Sequence, residues 1–172
     1  MKKHLQCLLM LAALLMPWVG RAQMPFSDYD FTVSNVTYSS ISSTGTSMSL
    51  SSQDDGHGTC TLPFAFNFGE STLASGSTIA CSANGFIYLG ASSTSGTLAS
   101  YTDANKIINS LVNQDAHMGR NTGAGVYYKH DAAAGTFTIE YVKLGLYSAT
   151  SSTYGSVTYQ VVLHNTGAID LI

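Results

Sequence analysis

The chain is 172 residues long, with seven Lys and Arg against ten Asp and Glu, a net charge of −3, and 45% apolar residues. Cations so few and so scattered cannot build the phosphate-neutralising patch that nucleic-acid binding needs, and the same sparsity disfavours an anionic membrane surface. Apolar content this regular excludes intrinsic disorder, and the length allows one sizeable core rather than two complete domains.

The first element is an export signal. "MKKH" is a short basic region, "LQCLLMLAALLMPWV" an apolar stretch, and "GRAQ" sets Gly20 and Ala22 at the −3 and −1 positions of a cleavage site. The apolar run is too short, and too soon followed by polar sequence, to read as a membrane span. Cys7 precedes most of that run and lacks the small residues a lipidation site needs. Residues 1–22 are therefore expected to leave, with the mature chain starting near Gln23. Four basic residues then face ten acidic ones, a net charge of −6. The expected destination is the outer cell surface or the medium.

Residues 23–53 follow as an N-terminal edge strand and a Ser/Thr-rich loop, of which 37–52, "TYSSISSTGTSMSLSS", is low in complexity. Residues 54–172 carry the body of the domain, and there a period of two recurs while no helical period is sustained. "CTLPFAFNF" alternates Leu62, Phe64, Phe66 and Phe68 with small or polar residues, after the turn cluster "SSQDDGHG". "STIACSA" and "FIYLG" read as two short strands broken at Asn84 and Gly85, and "NKIINSLVN" as a strand or a single helical turn. "AGVYYKHD" and "GTFTIEYVKLGLY" form a hairpin around 131–135. "GSVTYQVVLHNTGAIDLI" forms another around Asn165, Thr166 and Gly167. In that last hairpin Val157, Tyr159, Val161 and Leu163 share a dry face, while Thr158, Gln160 and His164 share the wet one with Val162. The expected fold is all-β, an antiparallel, jelly-roll-like β-sandwich. Because the sequence stops at "AIDLI" inside a strand pattern, it reads as a fragment truncated at its C-terminus.

Cysteine parity comes next. Cys60 shares the face of Leu62, Phe64, Phe66 and Phe68, and Cys81 that of Ile79 and Ala83, so both thiols point into the core from neighbouring strands. In an oxidising compartment an even pair reads first as a disulfide; two buried free thiols are the alternative, and a catalytic or metal role has less behind it.

Other candidate chemistry is thin. Asp115 and His117 lie two apart and share a face if extended, yet zinc needs three or four ligands, and no HExxH or CxxC supplies the rest. Asp54 and Asp55 precede Gly56 as ordinary turn residues. With loop carbonyls either could hold a Ca²⁺, although the EF-hand spacing is absent. His57, His130 and His164 flank turns and are expected in solvent. Glu70 and Glu140 sit in turn-like and strand-exterior contexts, so no glycosidase pair is expected. No G-x-S-x-G elbow occurs. No catalytic residue, no resident metal and no cofactor are expected. Tyr88, Tyr101, Tyr127, Tyr128, Tyr147 and Tyr154 are the remaining hint: exposed tyrosines stack on sugars or pack against proteins, though tyrosine is equally common on an outer strand face.

The order "DDG", "LPFAFNFG", "CSANGFIYLG", "NKIINSLVNQD", "GVYYKHDAAAGTFTIEYVKLGLY" and "VTYQVVLHNTGAIDLI" resembles the N-terminal β-sandwich module of Bacteroidetes surface proteins, similar to the nidogen-like domain of extracellular matrix proteins. Asn84, Gly85, Phe86, Gly90, Asp115, Tyr127, Tyr128, Gln160 and Leu163 occupy the matching places, across roughly 54–172. The family's Pro and Trp are missing from "IINSLVNQD". The resemblance implies a long protein exported by type IX secretion, and a non-enzymatic adhesion module touching an extracellular protein or glycan. The alternatives are an accessory domain of a secreted hydrolase and a structural spacer.

Overall fold

The structure, a computed structural model, describes residues 29–90, 107–109, 116–146 and 155–172. Their strands, in chain order, begin with β1 (Thr46–Met48), β2 (His57–Thr61), β3 (Phe66–Phe68), β4 (Ser71–Leu73), β5 (Thr78–Ser82) and β6 (Phe86–Leu89). Then come β7 (Ile107–Asn109), β8 (Ala116–His117), β9 (Gly125–Asp131), β10 (Thr136–Leu146), β11 (Ser156–His164) and β12 (Ile169–Leu171), with a 3₁₀ turn at Met118–Arg120. The all-β expectation holds. The export signal, Tyr101, Asp115, Tyr147 and Tyr154 lie outside the described residues.

Two main sheets enclose one core. The larger runs β1-β9-β10-β11-β12, with β8 added to the far end of β10; the smaller runs β2-β5-β6-β7, and β3 and β4 form a separate hairpin. Every pairing is antiparallel. The inward residues of both sheets, among them Ile79, Ile87, Leu89, Ile139, Tyr141, Tyr159, Val161 and Leu163, join a single apolar cluster. This is the alternation of a sandwich, one residue in two facing the partner sheet. Ala80, Phe86 and Tyr88 form a smaller cluster on the opposite face of the smaller sheet. Tyr88, expected as an exposed aromatic, is thus buried.

Three elements gain detail in the structure. "CTLPFAFNF" is not one strand: β2 ends at Thr61, and β3 restarts at Phe66 in another sheet. Pro63 has no amide hydrogen to continue the ladder, which accounts for the break. "NKIINSLVN" contributes the strand β7. Within β10 the register slips between Tyr141 and Leu144, so Val142 and Lys143 together face Thr158. Lys143 takes the left-handed φ of 51° there. The Thr158 hydroxyl accepts from its amide at 2.9 Å, and Asn121 donates to its carbonyl at 3.1 Å. The extra residue resets the phase, so Tyr141 and Leu144, three apart, both reach the core.

Candidate functional site

Three polar assemblies stand out, beginning at the Asn84/Gly85 step. Gly85 holds φ at 84°, a region open to glycine at no steric cost, and its amide donates to the Ser82 carbonyl at 3.1 Å. Asn84 does more than turn the chain. Its side chain is buried, accepts from the Ala116 amide at 2.8 Å, and donates to Asp55 Oδ1 at 3.2 Å. From the other sheet, the Tyr159 hydroxyl donates to the Gly85 carbonyl at 3.0 Å and the Tyr141 hydroxyl to the Phe86 carbonyl at 3.1 Å. These two rings stack at 4.9 Å, 13° from parallel. The step is therefore a clamp between sheets.

Cys60 and Cys81 lie beside this clamp and face the core, as their parity predicts. The structure records both as free, buried thiols in hydrogen-bond contact, without the expected disulfide between them. Cys60 stands opposite Ile79 and Cys81 opposite Gly58, so the cysteines are diagonal neighbours on adjacent strands. Hydrogen bonding to the Cys60 thiol, then burial, pushes the Cys81 thiol well above its ordinary value, and burial does the same to the Tyr141 hydroxyl. A thiol held protonated is a poor nucleophile.

The second assembly was invisible from local pattern. Glu140, expected on a strand exterior, does face outward, opposite Gln160, yet it is 0% exposed and Gln160 is 4% exposed. Residues 38–41 cross over them as a strap. Glu140 Oε1 accepts from the Tyr38 hydroxyl at 2.5 Å and from Gln160 Nε2 at 3.1 Å. Its Oε2 accepts from the Ser40 hydroxyl and the Ile41 amide, both at 3.1 Å. Gln160 Nε2 also donates to the Ser39 carbonyl at 2.8 Å. Four neutral donors thus satisfy a buried carboxylate, which would otherwise be costly. The wet face expected for the last hairpin is dry at Gln160 and Val162.

The third is a groove of about 390 Å³ where β1 and β9 meet the segment after β2. Tyr128, Lys129, His130, Phe137, Thr61 and Pro63 are among its lining residues. Tyr128 lies 5.9 Å from Phe137, and His130 lies 6.0 Å from the ring of Phe64. Lys129 Nζ donates to Thr44 Oγ1 at 3.1 Å across the groove. Lys129 and His130 are exposed, while Tyr127 and Tyr128 are half-buried.

The metal candidates do not converge. Asp55 is engaged by Asn84, Asp54 donates its amide to Ser52 Oγ at 3.3 Å, and His117 Nδ1 accepts from the Gly119 amide at 2.9 Å. Among the described residues no three His, Cys, Asp or Glu side chains group as ligands. Of the turn-flanking histidines His130 is exposed, while His57 and His164 are half-buried, His164 pairing with Asp170 at 2.8 Å.

Residues 28–172 match the NIDO-related family. The chain belongs to that family. Its nidogen-related domain takes in the strap as well as the sandwich, a wider span than the motif series at 54–172. Nidogen-related domains are extracellular modules. No helix among the described residues is long and apolar enough to cross a membrane. No curated protein and no solved structure matches the chain.

Proposed function

We propose that this nidogen-related domain is a non-enzymatic contact module of a secreted or surface-displayed protein, binding an extracellular protein or glycan through the β1–β9 groove. The observation that carries the reading is the groove's lining. Aromatic rings offer apolar faces, threonine hydroxyls offer hydrogen bonds, and the exposed Lys129 and His130 offer an ammonium and an imidazole there. Stacking faces beside orienting polar groups are what sugar rings and protein side chains both require. The finer origin, a type IX-secreted Bacteroidetes surface protein, is supported by the motif series alone. It belongs to the same proposal, as does adhesion.

The test is direct. The purified chain is assayed against immobilised extracellular matrix proteins and a glycan panel, beside His130→Ala and Lys129→Glu. Binding that weakens about tenfold or more in either variant, with the fold intact, supports the groove. Absence of binding to both panels, or binding indifferent to both substitutions, overturns it.

A further inference from the structure

The groove where β1 and β9 meet the segment after β2 carries a charge pattern as well as a shape. The chain has ten acidic side chains, and none of the described ones lines the groove. The ammonium there belongs to Lys129, which is exposed. Lys143, also exposed, makes the contrast: its Nζ donates to the Thr122 carbonyl at 3.2 Å. Lys129 Nζ meets only the Thr44 hydroxyl, at 3.1 Å, and among the described residues no carboxylate pairs with it. Asp131, two residues along β9, is committed elsewhere, its Oδ1 accepting from the Ala133 and Ala134 amides at 3.0 Å.

The corner has donors and lacks acceptors. An ammonium has three N–H groups, and Thr44 takes one. A hydroxyl that accepts from an ammonium directs its own hydrogen away, and that of Thr44 meets no acceptor among the described residues. Two heavy atoms 3.1 Å apart thus both keep donors to spare, a pairing that one carboxylate satisfies with its two oxygens. His130, exposed on the same lining, adds a ring nitrogen. An ionised acceptor makes bonds roughly twice as strong as a neutral one, so this corner favours an anion.

The rest of the lining decides what carries that anion. Thr46 and Thr61 offer exposed hydroxyls, each donor and acceptor at once, and Tyr128 offers a half-buried ring. Sugar hydroxyls have the same dual character, and sugar faces suit an aromatic wall. An acidic peptide would bring backbone groups that ask for a free ladder. At Thr46 and Tyr128 that ladder is already closed between β1 and β9.

We infer that the groove takes a saccharide bearing one carboxylate, a uronic-acid sugar, with Lys129 and Thr44 holding the carboxylate and His130 beside it. This ligand class rests on the groove reading above and narrows it. A single ammonium suits a single charge; a polyanion needs a patch of cations, which this chain lacks. Carboxylates more than about 8 Å away oppose such a ligand weakly, because physiological salt screens them.

Titration calorimetry of the purified chain with trisaccharides that each carry one uronic acid, beside their methyl esters, tests this. The expected result is that at least one acid form binds about tenfold more tightly than its ester. Lys129→Gln should erase that preference by weakening the acid form alone. Lys129→Arg should keep most of it, with the far-UV spectrum unchanged in both. Failure of every acid form to bind, or an acid form preferred equally in Lys129→Gln, overturns the carboxylate assignment. Acid and ester bound alike, with His130→Ala weakening both, also overturns it while leaving the groove reading in place. A glutamate-containing tripeptide that binds as tightly as the best acid form, and loses as much in Lys129→Gln, overturns the saccharide in favour of a peptide.

Discussion

Tyr141 opposite Tyr159 and Glu140 opposite Gln160 are adjacent rungs of the same β10–β11 ladder, and both are sealed from water. The inner rung is sealed by the partner sheet: two stacked rings fill the core, and their hydroxyls clamp the Gly85 and Phe86 carbonyls. The outer rung is sealed by a short polar strap about a hundred residues earlier in the chain. One rung is closed by shape and area, the other by hydrogen bonds to a carboxylate. Losing part of the first leaves a cavity; losing part of the second leaves unsatisfied donors, several of which can turn to water.

That difference predicts a ranking. Tyr159→Ala should cost most, about 3–5 kcal/mol in urea-unfolding stability, because it empties the inner rung and frees the Gly85 carbonyl. Glu140→Ala should cost less, roughly 2 kcal/mol, and should act locally: proteolysis within 29–41 should quicken while the denaturant slope is unchanged. Tyr38→Phe removes one donor at a partly exposed site and should cost about 1 kcal/mol or less. If Glu140→Ala costs as much as Tyr159→Ala, the outer rung is core and not latch.

pH gives the smallest effect, on the alkaline side. Burial, then the bond to Glu140, raises the Tyr38 hydroxyl above its ordinary value of 10.0. A group raised on folding contributes fully below its unfolded value and loses that contribution as pH rises through the folded one. Strap protection should therefore be full at pH 8 and fall above about pH 10. Cys81, raised likewise, should resist thiol reagents in the native chain at pH 8 and react, with Cys60, after denaturation.

Most of the inner rung was legible in sequence, because alternation at Val157, Tyr159, Val161 and Leu163 is a local signal that burial follows. The Asn84/Gly85 step was legible as a turn, but not as a clamp: the partners of Asn84 are Asp55 and Ala116, distant in sequence. The Cys60 and Cys81 pair was legible in part for a related reason. Parity gives the face of each thiol but not the register, which makes the two diagonal neighbours. Glu140 was hardest. Its alternation correctly turned it outward, and outward ordinarily means wet. Its cover comes from "TYSSIS", whose hydroxyls looked like loop composition and are instead the donors a buried carboxylate needs. Beside the opposite Gln160, that hydroxyl run was the signal available.

The most direct test of this account is native-state hydrogen exchange at the Ile41 amide, which donates to Glu140 Oε2. It is predicted to be protected in the wild-type chain and to lose that protection in Glu140→Ala, while amides paired between Tyr141 and Tyr159 keep theirs. An Ile41 amide that exchanges freely in the wild-type chain would contradict the strap and the burial of Glu140 with it.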